Sequence, residues 1–572
     1  MKRLSLLALI AGAFTCGVTS VTAQDQQKRG EVQDQEFVIR KDRVLTVPTQ
    51  PRAFERMPSL PQPKGGGDFS YTVTPFYLNL PALNLQPSAL QKDYRQPKVD
   101  LYPGYVRAGY GNFASPLLEG RYMSTQADPV NYALKFKHQS FGKGPVGGEQ
   151  SSESHTVFGA DGSYFTEAVE VFGGLNWGQD KYSFYGVDPL LFDNPNEPFE
   201  TNNNVLNHFQ VKAGLRDIAK TGPISYEGQI SFRNFKDSYA AKENEVGFQV
   251  TGKFRTESDW SGRVDVNYFH TNPNDVNYQE KRNYFSIRPR ISYNYEAFKF
   301  TAGLNLVSEN DILADKSSDF HIFPVVKASY QFADEFGFYG EFSGDVKRNT
   351  YFSFVNENPF LGPSEQLLNT VNNYRIEGGI EGQFQEAVHY RAGINVSRFN
   401  QLHFFVNSLS DSSRFALVYD DKSTVVNLNG ELGFKISDVY SLGGRLDLYQ
   451  YELNVQQEAW HRPVWEVRIN NQITPADRLL VQANLNFMGG MKGRGAPIIP
   501  DLGTIGGIYH PTTFEVVNLK TVADLQLKAD FKITDQLSIF AEGNNILNGK
   551  NTRWLNYPVR GIQLIGGASF KF

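Results

Sequence analysis

The sequence predicts an all-β fold: a large closed antiparallel transmembrane β-barrel of about 22 strands, preceded by an extended N-terminal arm. Three observations predict it. The first is the final segment from Gly561, in which Ile562, Leu564, Gly566, Ala568, Phe570 and Phe572 share one face. Gln563, Ser569 and Lys571 take the other, with Ile565 alone out of place. Alternation with a period of two over about ten residues gives a strand one face for lipid and one for a lumen. The second is a run of similar strands along the chain from Tyr105 onward. The third is the asymmetry of the connections between them, which are short at one end and long at the other.

Taken in chain order, the first element is a signal peptide. Lys2 and Arg3 precede the apolar stretch from Leu4 to Val18, and Val21-Thr22-Ala23 supplies a small-residue cleavage pattern. Residues 1–23 are therefore expected to be removed, and the apolar run is shorter than the roughly 20 residues that span a bilayer. Residues 24–103 carry ten prolines between Pro48 and Pro103, together with Gly65-Gly66-Gly67. Proline cannot donate to a ladder and breaks helices, so this segment is predicted to be an extended arm. Its apolar residues Phe69, Tyr71, Val73, Phe76, Leu78, Leu80, Leu83 and Leu85 are candidates to pack against the inner wall of a barrel as a lumen plug, the alternative being a periplasmic segment.

The barrel is expected to occupy residues 104–572. Phe298, Phe300, Ala302, Leu304 and Leu306 alternate with Lys299, Thr301, Gly303 and Asn305. Leu479, Val481, Ala483, Leu485 and Phe487 alternate with Leu480, Gln482, Asn484 and Asn486. The longest predicted strand runs from Val517 to Ile533, with Leu519, Ala523, Leu525, Leu527, Ala529 and Phe531 toward lipid and Asp524, Gln526, Lys528 and Asp530 opposite. Short turns are expected at Gln331–Asp334, Lys435–Asp438, Gln472–Pro475 and Lys532–Asp535, where Asp, Ser and Thr support tight reversals. Long connections are expected at Phe141–Glu153, Gly186–Asn203, Tyr351–Asn372 and Gly490–His510. In outer-membrane barrels short turns face the periplasm and long loops face outward.

Composition excludes several classes. The single cysteine, Cys16, lies in the signal segment, so the mature chain has no disulfide framework and no thiolate metal site. The net charge of −5 becomes −7 without Lys2 and Arg3, and no basic patch offers itself to nucleic acid. Mean hydropathy is −0.41, which lumen positions and outer loops allow in a barrel. The chain has 44 Phe, 29 Tyr and 5 Trp, rings suited to the two membrane interfaces.

The C-terminal hundred residues resemble the end of a TonB-dependent receptor barrel. Leu537-Ser538-Ile539-Phe540-Ala541-Glu542-Gly543-Asn544-Asn545-Ile546-Leu547-Asn548 is similar to that family's penultimate strand and the Asn-rich run after it. Tyr557-Pro558-Val559-Arg560-Gly561 is similar to the segment leading into its last strand, and Phe572 to its usual terminus. The resemblance implies a 22-strand barrel in the cell outer membrane, Phe570 and Phe572 as an insertion signal, and solute or nutrient uptake. It also implies partners: outer-membrane lipids, the barrel-assembly machinery, and TonB or another outer-membrane protein. The front of the chain departs from the family, because some 80 proline-rich residues replace its compact plug domain. Glu36-Phe37-Val38-Ile39-Arg40 is a candidate TonB-binding segment.

Other chemistry is set aside. Gly142-Lys143-Gly144-Pro145-Val146-Gly147 matches a dinucleotide-binding pattern but lacks the following helix, so an outer loop is expected. The nine histidines show no zinc spacing. Asp193, Asn196 and Glu197 share a loop without the spacing of a calcium hand. Ser154 adjoins His155, but no nucleophile elbow frames it, and neither an enzyme nor a cofactor is predicted. Two functional readings stay open: a transporter or receptor, and a non-transporting barrel subunit of a larger outer-membrane assembly.

Overall fold

The period-2 segments pair with their sequence neighbours into one continuous antiparallel wall in a computed structural model. The structure describes residues 102–572 except 125–128, 187–201, 220–221, 277, 312–317, 363–365, 386, 438 and 499–512. The signal segment, nearly all of the arm, the Glu36–Arg40 segment and the loop residues Asp193, Asn196 and Glu197 therefore lie outside the described residues.

Twenty-two strands make up the wall, from Gly104–Gly111 to Gln563–Lys571, and those two pair antiparallel to close it. Gly104 and Phe572 exchange backbone hydrogen bonds of 2.9 and 3.0 Å at the seam. Closure removes every sheet edge, which a wall in lipid requires because no water is present to satisfy an orphan amide. Phe570 and Phe572 both face outward, 45% and 48% exposed. The Phe572 ring lies over Gly104, where a Cβ would meet it at 2.3 Å.

The misplaced Ile565 has its explanation inside the seam. It points inward and is buried with Leu117 and Phe540. The Phe540 ring lies against the glycines of neighbouring strands, where a Cβ on Gly109 or Gly567 would meet its tip at 2.9 or 2.7 Å. Arg107 covers the ring's other face, 3.6 Å from its centroid, and pairs with Glu542. The apolar exception in the pattern thus builds a packed patch on the lumen side of the closing strands.

The reversals alternate as expected. At one end Tyr295 and Phe298, and Ala333 and Phe336, are joined by two residues each. At the other end the chain runs through 348–369, 401–422 and 545–562 between wall strands. Two expectations need correction. Thr474 and Pro475 continue the strand Trp465–Ala476, with a register shift between Ile473 and Ala476, so the chain reverses two residues later. The segment Val517–Ile533 is not one strand. Val522–Lys532 belongs to the wall, whereas Phe514–Asn518 pairs with Lys492–Pro497 in a hairpin outside it. Leu519 sits at the break and is buried, its N–H bonded to the Met491 carbonyl, rather than facing lipid. The alternation lapses at the break, where Thr521 takes the apolar face and Val522 the polar one, and the sheet partner changes.

Candidate functional site: the capped mouth of the lumen

The long connections fold together into a cap at one end of the barrel. Its first part is a short helix, Tyr351–Glu357, in a region where the sequence suggested only a loop. Thr350 caps it, accepting from the Ser353 N–H at 3.1 Å, while the Ser353 hydroxyl accepts from the Thr350 N–H at 2.8 Å. This reciprocal pair satisfies two orphan amides and starts the helix. The fully buried Glu243, on the wall strand Lys242–Arg255, accepts from the Tyr351 N–H at 2.8 Å. A carboxylate there also suits the positive end of the helix dipole. Arg233 bridges Glu243 and Glu245 at 3.2 and 3.1 Å, and Arg348 pairs with Glu245 from the cap side. Arg282 donates to the Asn349 carbonyl at 2.6 Å and to Asn369 at 2.7 Å. Charged wall residues therefore hold both ends of segment 348–369.

The cap interior is aromatic. Phe184, Phe235, Tyr351, Phe354, Phe360, Phe405, Phe415, Trp554 and Tyr557 form one buried cluster. The Tyr557 and Phe360 rings stack with centroids 3.6 Å apart, and the Tyr557 hydroxyl donates to the Ser413 carbonyl. The hairpin of Leu402–Asn407 and Phe415–Asp420 contributes two of those rings and packs Phe404 and Val406 on Trp460. Asp420, fully buried, accepts from the Asn454, Val455 and Gln456 amides and from the Ser423 hydroxyl, the closest three at 2.6 Å. One carboxylate thus fixes the loop 453–464 to the hairpin.

Two buried histidines join these loops. His461 donates from Nδ1 to the Phe405 carbonyl at 2.8 Å and accepts at Nε2 from the Leu555 N–H at 3.2 Å. Those partners require a neutral ring, and burial lowers its pKa to about 4. His403 lies 3.0 Å from Glu357 and 2.9 Å from Arg462. Burial holds its pKa down to about 4 against the pull of Glu357. Burial raises the Glu357 carboxyl, but the His403 hydrogen bond and the Arg462 charge outweigh it and bring the pKa to about 2.

The C-terminal motifs acquire roles here. Asn545, in the left-handed region at φ 48°, donates to the Gly549 and Arg560 carbonyls at 3.0 and 2.7 Å and accepts from the Gly549 N–H at 3.0 Å. It shapes the loop that carries Trp554 and Tyr557 into the cap. Arg560 pairs with Glu153 at 2.7 Å and lies over the Phe141 ring.

The remaining sequence candidates separate clearly. Segment 142–147 is a loop, followed by a single 3-10 turn at Gly148–Ser151. Ser154 and His155 occupy opposite faces of one strand, and His155 bonds Asp180 at 2.7 Å, so they do not act as a pair. Sequence spacing missed one arrangement: Glu309, Asp319 and His321 come together within 4.8 Å on adjacent inward-facing strand ends. Cross-strand register places Glu309 opposite Asp319, which linear spacing does not reveal. These three are the residues that could hold a metal ion among those described. His321 is 3.3 Å from Glu309, which also accepts from Asn369.

No protein-family model matches the sequence, and no curated protein matches it. Solved structures do match in three dimensions. The FrpB iron transporter from Neisseria meningitidis (F5-1 variant) superposes with a TM-score of 0.63 at 9% identity, covering 82% of each chain. The fold is that of the TonB-dependent receptor barrels. The pyoverdine outer membrane receptor FpvA from Pseudomonas aeruginosa PAO1, bound to pyoverdine, matches this receptor-type barrel at TM-score 0.60 and 11% identity, over 82% of this chain and 78% of that one. The copper transporter OprC matches at 0.58 and 10%, over 82% and 83%.

Proposed function

We propose that this protein is an outer-membrane barrel that admits a polar solute to its lumen, with the cap as the gate at the outer mouth. The observation that carries the reading is the combination of a closed 22-strand wall with a packed assembly of loops across one end. Below the cap the inward face is polar and carries both charge signs, as in Lys135 and Lys212 flanking Asp161 at 3.7 and 3.6 Å. A cavity of about 470 Å³ on that wall is lined by Glu227, Gln249, Arg263, Asp265, Asn267 and Arg288. Polar groups of both signs suit a hydrated solute better than an apolar one. The similar structures named above are an iron transporter, a pyoverdine receptor and a copper transporter, which favours transport over catalysis. We read Phe570 and Phe572 as the insertion signal and residues 24–103 as an extended arm, a lumen plug or a periplasmic segment.

The test replaces residues 402–420 with a short turn, alone and together with deletion of residues 31–90. Purified proteins are compared in planar bilayers and in liposome-swelling assays with neutral sugars. A gating cap gives step conductance and solute entry in the loop-replaced protein, alone or once the arm is also removed. Unchanged permeability in both variants, with the barrel intact, sinks the gate and leaves the non-transporting subunit as the better account.

A further inference from the structure

The outward face of the wall carries an ordered ladder where the strands Ile224–Lys236 and Lys242–Arg255 approach the cap end. Its cross-strand pairs, read toward that end, are Ile230 with Phe248, Phe232 with Val246, Asn234 with Asn244, and Lys236 with Lys242. The first two pairs are exposed apolar side chains of the lipid-facing belt. The third is an amide pair in which Asn234 donates to Asn244 at 2.7 Å. The fourth sets two exposed lysines directly opposite each other, with no ion pair to either among the described residues. Along the strand the lysines lie four residues, about 13 Å, beyond the last apolar pair.

The row continues sideways in register. Gln179 pairs with Asn207, Asn207 with Lys236, Lys242 with Asn274, and Asn274 with Gln279. Six neighbouring strands thus present four amides and two ammonium groups along one cross-strand row, which runs obliquely to the membrane plane because barrel strands tilt, and the row itself holds no carboxylate. Gln179 donates to Asn207 at 2.9 Å, which fixes one end of the row. Like charges directly opposite on neighbouring strands repel. A row that concentrates donors and two cations, with nothing on its own face to neutralise them, is complementary to an anion. The apolar pairs farther down the same two strands, past the Asn234–Asn244 pair, point to an anion attached to acyl chains.

We propose that this row binds the phosphate headgroup of an outer-leaflet lipid, with the acyl chains lying on the Phe232–Val246 column. The inference rests on the outer-membrane reading above and adds a specific lipid site to it. Lysine stems lie along apolar surface while their ammonium groups reach the headgroup layer. Each lysine near a phosphate contributes about fivefold in binding, and the pair on the order of 25-fold.

The test uses the full barrel in nonionic detergent, titrated with phosphatidic acid or phosphatidylcholine, with bound lipid counted by native mass spectrometry. The wild type is expected to prefer phosphatidic acid. Lys236→Gln with Lys242→Gln loses roughly 25-fold of that affinity, and Lys236→Arg with Lys242→Arg retains it. Inorganic phosphate at equal concentration does not compete. Equal affinity of wild type and the glutamine variant overturns the site, and so does displacement of the lipid by inorganic phosphate. Heat-modifiable migration is recorded for every protein; a wild type without it refutes the barrel reading underneath, a result distinct from loss of lipid preference.

Discussion

Acid should loosen the cap, and His461 sets the size of the effect. In the closed cap its ring is neutral, held between a carbonyl and an amide, with a pKa of about 4. Once the loops separate, the ring returns to its ordinary value near 6.5. As pH falls below 6.5 the open form takes up a proton that the closed form refuses until about pH 4, so the closed cap is favoured above 6.5 and loses stability between 6.5 and 4. At pH 5 the loss is about 2 kcal/mol, roughly a thirtyfold rise in the open population, approaching about 3 kcal/mol near pH 4. His403, also at about 4, adds a contribution of the same sign. Glu357, at about 2, adds one only at lower pH, as the pH falls from the usual carboxylate range through 2. The assay is hydrogen exchange by mass spectrometry on segments 402–420 and 453–464, corrected for intrinsic rates, with wall peptides as the reference. His461→Gln should flatten part of the pH dependence, and the double variant with His403→Gln most of it. An exchange profile that stays flat from pH 7 to 5 in the wild type refutes the argument, because the neutral His461 would then not be needed to close the cap.

Four further outcomes are expected. Asp420→Ala removes the buried carboxylate that accepts from the half-exposed Asn454, Val455 and Gln456 amides, bonds to a charged acceptor worth at most about 1.5–3 kcal/mol each, so loop 453–464 should become protease-sensitive while the barrel keeps its heat-modifiable migration; a resistant loop contradicts this. Leu527→Arg, on an outward position 39% exposed, should destabilise by roughly 2–4 kcal/mol in lipid. Lys528→Leu should cost under about 1 kcal/mol, since it loses only partly exposed contacts to Asp530 and Glu542; equal costs in urea unfolding from vesicles would mean this strand does not face lipid. Deleting Phe570–Phe572 removes the closing hydrogen bonds to Gly104 and should abolish outer-membrane accumulation, which fractionation measures. Deleting residues 31–90 should leave the barrel inserted and raise permeability to large antibiotics; unchanged permeability would mean the arm is not the block.

The barrel was legible because its signal is local. A strand with lipid on one side and a polar lumen on the other must alternate, and the turn lengths follow from which side the chain reverses on. Errors arose where the alternation persists without the environment that usually causes it. Val517–Ile533 alternates except at Thr521 and Val522, yet only Val522–Lys532 enters the wall, because alternation records two unlike faces and not which strand lies alongside. The same limit applies to Asn544–Asn548 and Tyr557–Arg560. Their resemblance to a family was readable, but their work in shaping the final loop and filling the cap was not.

By itself, the sequence determined the wall: its strand periodicity, its approximate number of strands, the inward and outward faces, and the inward exception at Ile565. Each of these depends on residues close together in the chain. The cap, the Glu309–Asp319–His321 cluster and the outward lysine row were decided only by the tertiary structure. Each joins residues through cross-strand register or through packing of loops far apart in sequence. Glu243 meets Tyr351, and Tyr557 meets Phe360, only because the closed wall brings their strands and loops to the same mouth.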